Sequence, residues 1–109
     1  MISIRPATRS DLVEFYGVAP PMTVKAWAAF NGAEKPVAVG GYYLADGIAV
    51  AFSDYSPELR KRDRVKGARA LMGLLKGLKI EVLARSGPDG KTALKHFGFK
   101  PWGMFWRLG

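Results

Sequence analysis

The chain has 109 residues, close to the commonest size of one domain, so a single domain spanning 1–109 with one core is expected. Hydrophobic residues make up 49% of it and mean hydropathy is near zero, which excludes the composition of a disordered chain. A net charge of +8 favours anionic partners, and the lack of cysteine excludes disulfides and thiolate zinc sites.

The opening MISIRPATRSD lacks the apolar run of a signal peptide, and no segment approaches ~18 uninterrupted apolar residues. A soluble, cytoplasmic protein without a membrane partner is therefore expected.

The stretch ISIR alternates and predicts a short strand ending at Pro6. ATRSDLVEFYG then predicts a helix, with Thr8 and Asp11 as a capping box and Gly17 as its stop. Leu12, Phe15 and Tyr16 would form its buried face. The paired prolines of VAPPM break structure.

Residues 24–53 read as a three-stranded antiparallel meander with hairpin dipeptides at Asn31-Gly32 and Asp46-Gly47. Gly40-Gly41 inside it indicates either a bulge or a close approach of backbones.

Helical spacing then returns at Val65, Ala68, Leu71 or Met72, and Leu75. Ser56 and Pro57 either start this helix or form a separate turn before it. Gly77 ends it, and KIEVLARS is a short strand. DGKTALKHFGF predicts a compact helix capped by Asp89, with Ala93, Leu94 and Phe97 inward and Gly98 past its end. FKPWGMFWRL closes the chain as one aromatic strand, with Trp102, Met104 and Trp106 on its buried face or on an oligomer or partner surface. The order β-α-β-β-β-α-β-α-β predicts a mixed α/β (α+β) sheet, whose ligands sit at strand carboxyl ends near helix N-termini.

Several chemistries lack their residues. GPDGKT has the wrong glycine spacing for a nucleotide P-loop, and Arg85 stands where its first glycine belongs. No Gly-x-Ser-x-Gly elbow accompanies His96, the only histidine, which reads as structural. No clustered carboxylates join it, so no metal is expected. RKRDRVKGAR, residues 60–69, carries six cations and one acid. Three readings of it stand open: a solvated helix face, a cofactor-phosphate site, or a nucleic-acid surface, the last being less favoured because the aromatics sit in strand patterns.

Three segments together resemble the GCN5-related N-acetyltransferases (GNAT). IRPATRSDL is similar to their opening strand and helix, RVKGAR to their pyrophosphate loop, and ALKHFGFKPWG to their late helix and turn. The resemblance implies a mainly antiparallel sheet flanked by about three helices. It also implies acetyl-CoA as co-substrate, with an amine-bearing small molecule or protein as acceptor. Arg64, Lys66, Gly67, Ala68 and Arg69 would then surround the phosphates, and Phe52 and Ser53 would line the pantetheine arm.

The sequence departs from the family where Arg69 replaces the loop's last small residue and Leu94 replaces a proton-donating tyrosine. No glutamate lies in the fourth strand, so Asp54 and Tyr55 are the nearest substitutes for a general base. A narrower likeness is to small internal virion proteins of short-tailed bacteriophages, which resemble shrunken, basic members of this family. It implies an alternative: a non-catalytic module of the same fold, in the virion or the host cytoplasm, that binds protein or nucleic acid.

Overall fold

A computed structural model describes residues 2–84, 91–96, 98–103 and 105–108. Its elements, in chain order, are β1 (Ser3–Pro6), α1 (Arg9–Tyr16), β2 (Lys25–Phe30), β3 (Pro36–Ala45) and β4 (Ile48–Tyr55). There follow α2 (Lys61–Lys76), β5 (Val82–Ala84), α3 (Lys91–His96), β6 (Phe99–Trp102) and β7 (Phe105–Leu108). The described strands form one sheet in the order β1-β2-β3-β4-β5-β7-β6. Every pair in it is antiparallel except β4 with β5, which run parallel.

Local chemistry explains the start of the chain. Thr8 Oγ1 accepts from the Asp11 amide at 3.2 Å, and the Thr8 amide donates to Asp11 at 2.8 Å, which closes the expected capping box. Gly17 ends α1 in the left-handed region at φ 83°, where a side chain would be strained. Leu12 is buried and Phe15 is half-buried, but Tyr16 is exposed, so the inward stripe of α1 is narrower than predicted.

The meander forms as expected, but its first turn is not an Asn31-Gly32 dipeptide: residues 31–35 make a longer loop in which Asn31 Oδ1 accepts from the Ala33 and Lys35 amides and Glu34 takes a positive φ. Gly40-Gly41 is resolved as a close approach. Pairing runs unshifted from Ala38 to Ala45, and the sheet's irregularity lies instead between Ala29 and Phe30. A Cβ at Gly41 would run into the Lys25 carbonyl oxygen and the Ala26 Cα.

The two faces of the sheet carry separate layers. Leu12 of α1 packs with Ala26, Ala28, Phe30 and Val39, and Phe52 joins them. Met72 and Leu75 of α2 pack with Ala49, Ala51, Val82, Ala84, Phe99 and Trp106, joined by Leu94 of α3. Val65 is exposed, so the buried stripe of α2 begins later than its spacing suggests.

Of the two openings left for α2, the separate turn is the one that forms: Ser56 accepts from the Glu58 and Leu59 amides, and α2 starts only at Lys61. The end of the chain differs from the sequence reading. The closing aromatic segment is a hairpin and not one strand: β6 and β7 pair, with Gly103 between them at φ 61°. The reversal separates the tryptophans, since Trp106 is buried at 8% exposure while Trp102 stands 55% exposed on edge strand β6. Asp89, Phe97 and Met104 lie outside the described residues.

Candidate functional site

The carboxyl end of β4 is where sheet and helix meet. Parallel pairing with β5 covers Ala49, Ala51 and the residue between them, ending at Ala51 opposite Ala84. β4 then runs on through Phe52, Ser53, Asp54 and Tyr55, held by β3 alone among the described residues. The Ala49 amide donates to the Glu81 carbonyl at 2.9 Å, so odd-numbered residues of β4 direct their main-chain groups toward β5. By that alternation, Ser53 directs its N–H and carbonyl past the described end of β5.

Side chains alternate as well. Phe52 packs on the α1 face. Asp54, on the same face, accepts a hydrogen bond from the Tyr16 hydroxyl at 2.7 Å, tying α1 to the end of β4. Partial burial pushes the Tyr16 phenol above its ordinary range, and the hydrogen bond to Asp54 and its charge push it further. Tyr16 is therefore a fixed proton donor to Asp54. This pair joins residues 38 apart, and no local spacing in the sequence marks it.

Tyr55 is exposed beneath the Arg64 guanidinium, which lies 4.3 Å above its ring. Arg64 Nε donates to the Leu59 carbonyl at 3.0 Å, so this guanidinium folds back over the turn that precedes α2.

The placement of 64–69 revises the expected loop. These residues form the first half of α2 and do not precede it, and the Arg64 amide already bonds the Arg60 carbonyl at 3.0 Å. The amides of Lys66, Gly67, Ala68 and Arg69 are committed one turn back in the same way, because they are interior to the helix. The main-chain donors left open by helix geometry are those of Lys61, Arg62 and Asp63. Arg60 at the N-cap makes no side-chain capping bond to them. A Cβ at Gly67 would meet no protein atom within 4 Å, so internal packing does not demand the glycine.

Leu94 packs against the core beneath α2, in keeping with a structural role. His96 is exposed at the end of α3. Among the described residues no group of three or more His, Asp or Glu side chains could hold a metal, and no helix is long and apolar enough to cross a membrane. Among the described residues, one depression lies beside Trp102 and Arg107 and another beside Leu78 and Ile80 at the C-terminal end of α2, and neither is lined by a residue of this corner.

Comparison with solved structures places this architecture. The chain is similar to an acetyltransferase of the GNAT family from Staphylococcus aureus, with 14% identity, a TM-score of 0.71, and 99% and 98% of the two chains covered. It is similar to a candidate acyl-CoA N-acyltransferase from Klebsiella pneumoniae at 16% identity and a TM-score of 0.65, over 99% and 97% of the chains. A mutant spermidine N-acetyltransferase from Vibrio cholerae matches at 11% identity and a TM-score of 0.63, over 97% and 90%. No protein-family model and no curated protein sequence matches the chain. The fold is thus that of the GNAT acetyltransferases: a mixed, mostly antiparallel sheet with helices on both faces.

Proposed function

We propose that the protein binds an acyl-CoA, with acetyl-CoA as the first choice, and transfers the acyl group to an amine. The carrying observation is the corner itself. β4 runs beyond the described part of its parallel neighbour, directs the Ser53 main chain past that part, and leads into a helix start without a side-chain cap.

Phe52 and Ser53 would lie along the pantetheine arm. The diphosphate would meet the amides of Lys61, Arg62 and Asp63, where the helix dipole and open N–H groups favour an anion. Arg64, Lys66 and Arg69 would add charge from their side chains. Gly67 and Ala68 would add only clearance, because their amides are engaged in α2. The thioester supplies an activated acyl group; the protein's contribution is to bind, orient and manage protons.

Ser53 N–H, fixed in a strand, is a preorganised donor for a carbonyl oxygen on which negative charge develops. Asp54, with one oxygen engaged by Tyr16, has its other oxygen for the acceptor's amine proton. Tyr55 stands on the opposite face, on the same side as α2. The acceptor class, an amine, is supported by the spermidine N-acetyltransferase and the candidate acyl-CoA N-acyltransferase that share the fold.

Calorimetric titration with acetyl-CoA tests the reading. Binding by the wild type that is weakened in Lys61→Glu and Gly67→Glu is expected. No heat at near-millimolar acetyl-CoA would leave a non-catalytic member of the fold, the reading to which the likeness with phage virion proteins points.

A further inference from the structure

The charge of the protein is concentrated in one element. Residues 60–76 hold seven cations and one acid, a net of +6, whereas the rest of the chain holds ten cations and eight acids. Within α2, Arg62, Lys66, Arg69, Gly73 and Lys76 follow one another at steps of four, three, four and three residues. Such steps keep them on one helical face. That face points away from the buried stripe of Met72 and Leu75, and all five residues except Gly73 are cations. All five are exposed. The ion pairs among the described residues are Arg5 with Glu34 and Arg107 with Glu81, so none involves this face.

Gly73 is an independent observation. A glycine inside a helix costs about 1 kcal/mol relative to alanine, and here a Cβ would meet no protein atom within 4 Å. Internal packing gives no reason for it. On the outer face, between Arg69 and Lys76, its missing side chain lets the helix backbone approach an external surface closely.

We propose that this face of α2 docks on the phosphate backbone of a nucleic-acid duplex, without reading sequence. From Arg62 to Lys76 the helix rises roughly 21 Å at about 1.5 Å per residue, long enough to pass many phosphates spaced about 3.4 Å along each strand. Single strands are bound through exposed stacking rings beside the cations, and this face carries none. The exposed aromatics among the described residues lie elsewhere: Tyr16 on α1, Tyr55 beneath Arg64 and Trp102 on β6. An amphipathic helix that enters a membrane surface needs large apolar side chains next to its cations, and here the exposed uncharged residues beside them are Val65, Ala70 and Gly73, none of them larger than valine. The inference shares Lys66 and Arg69 with the acyl-CoA reading but does not depend on it, because Gly73 and Lys76 lie well beyond the N-terminal turn of α2 and duplex binding is measured without acyl-CoA.

Fluorescence anisotropy with a labelled mixed-sequence DNA duplex of about twenty base pairs tests it. Four phosphate contacts give a logarithmic salt slope of about −3.6, so tripling the salt from about 50 mM should weaken binding roughly fifty-fold. Arg69→Glu/Lys76→Glu should weaken binding at least about tenfold at the lower salt. Lys25→Glu/Lys35→Glu, which removes the same charge from the exposed β2 region, should change it little. Gly73→Gln should stabilise the helix yet weaken binding, an effect that a merely structural role would not produce. The proposal is overturned if both double variants weaken binding equally or if the wild type shows none at low salt. It is equally overturned if polyglutamate or anionic vesicles bind as tightly as the duplex.

Discussion

Gly41 gives the most direct test of the packing that shapes the site. It pairs with Ala26 of β2 on one side and with Phe52 of β4 on the other, at the centre of the meander. In Gly41→Ala the new methyl would run into the Lys25 carbonyl oxygen and lie 2.7 Å from the Ala26 Cα. Both obstacles are backbone, so no rotamer change relieves them and β2 must move away from β3. Overpacking costs typically about 1–3 kcal/mol, and a rigid obstacle places this variant at the upper end, about 3 kcal/mol. For a domain of this size that corresponds to a fall in Tm of roughly 12–24 °C. The neighbouring Gly40→Ala is the internal control. Its methyl would meet only the Leu71 Cδ2 at 3.2 Å, the mobile end of a side chain. Relief there is inexpensive, and lost freedom in the unfolded chain offsets it by about 0.4–1 kcal/mol, so its stability should stay near that of the wild type. Thermal and urea unfolding of both variants, followed by circular dichroism, decide the matter. Equal losses in the two variants, or a Gly41→Ala protein within about 1 kcal/mol of wild type, would refute the close approach of β2 to β3.

Tyr16→Phe should cost about 0.5–1.5 kcal/mol at neutral pH by removing the bond to Asp54. The folded phenol titrates above its ordinary value of about 10, so the wild type's advantage is complete below that pH. It shrinks as pH rises beyond it, because the unfolded chain releases the proton first. Stability curves of the two proteins should therefore converge above about pH 10, and parallel curves would contradict the Tyr16–Asp54 bond. Trp106→Ala should cost about 3–5 kcal/mol as a core truncation and Trp102→Ala less than about 1 kcal/mol, since Trp102 is largely exposed; chemical denaturation of both checks the hairpin. Asp63 sits in the first turn of α2 and competes with an anion for the same positive end. Asp63→Asn should tighten acetyl-CoA binding about two- to fivefold, and unchanged or weaker binding by calorimetry would count against phosphates at that helix start.

Local signals in the sequence were enough for the elements that local physics controls. Thr8 with Asp11, and Gly17, delimit α1 because capping and left-handed backbone are decided within a few residues. The meander follows from Asp46-Gly47 and its flanking apolar runs, with Asp46 at φ 52° and Gly47 at φ 78°. The final segment misled because its alternation continues through Gly103, while the chain reverses there to pair β6 with β7. Two short strands and one long strand share the same period, and only pairing distinguishes them. The beginning of α2 was equally hidden. Its cations favour neither loop nor helix strongly, so the motif-like RVKGAR gave no sign that its amides would be engaged one turn back.

By itself, then, the sequence determined the order of elements up to the closing hairpin, the capping of α1, the turn at Asp46-Gly47 and the cationic weight of residues 60–76. These depend on backbone preferences and charges that act over a few residues. Tertiary structure alone decided that Tyr16 meets Asp54, that β4 outruns the described part of β5, and that Gly41 lies against β2. It also decided which face of α2 remains outside. Each of these brings together groups far apart along the chain, and such contacts exist only once the sheet has fixed its register.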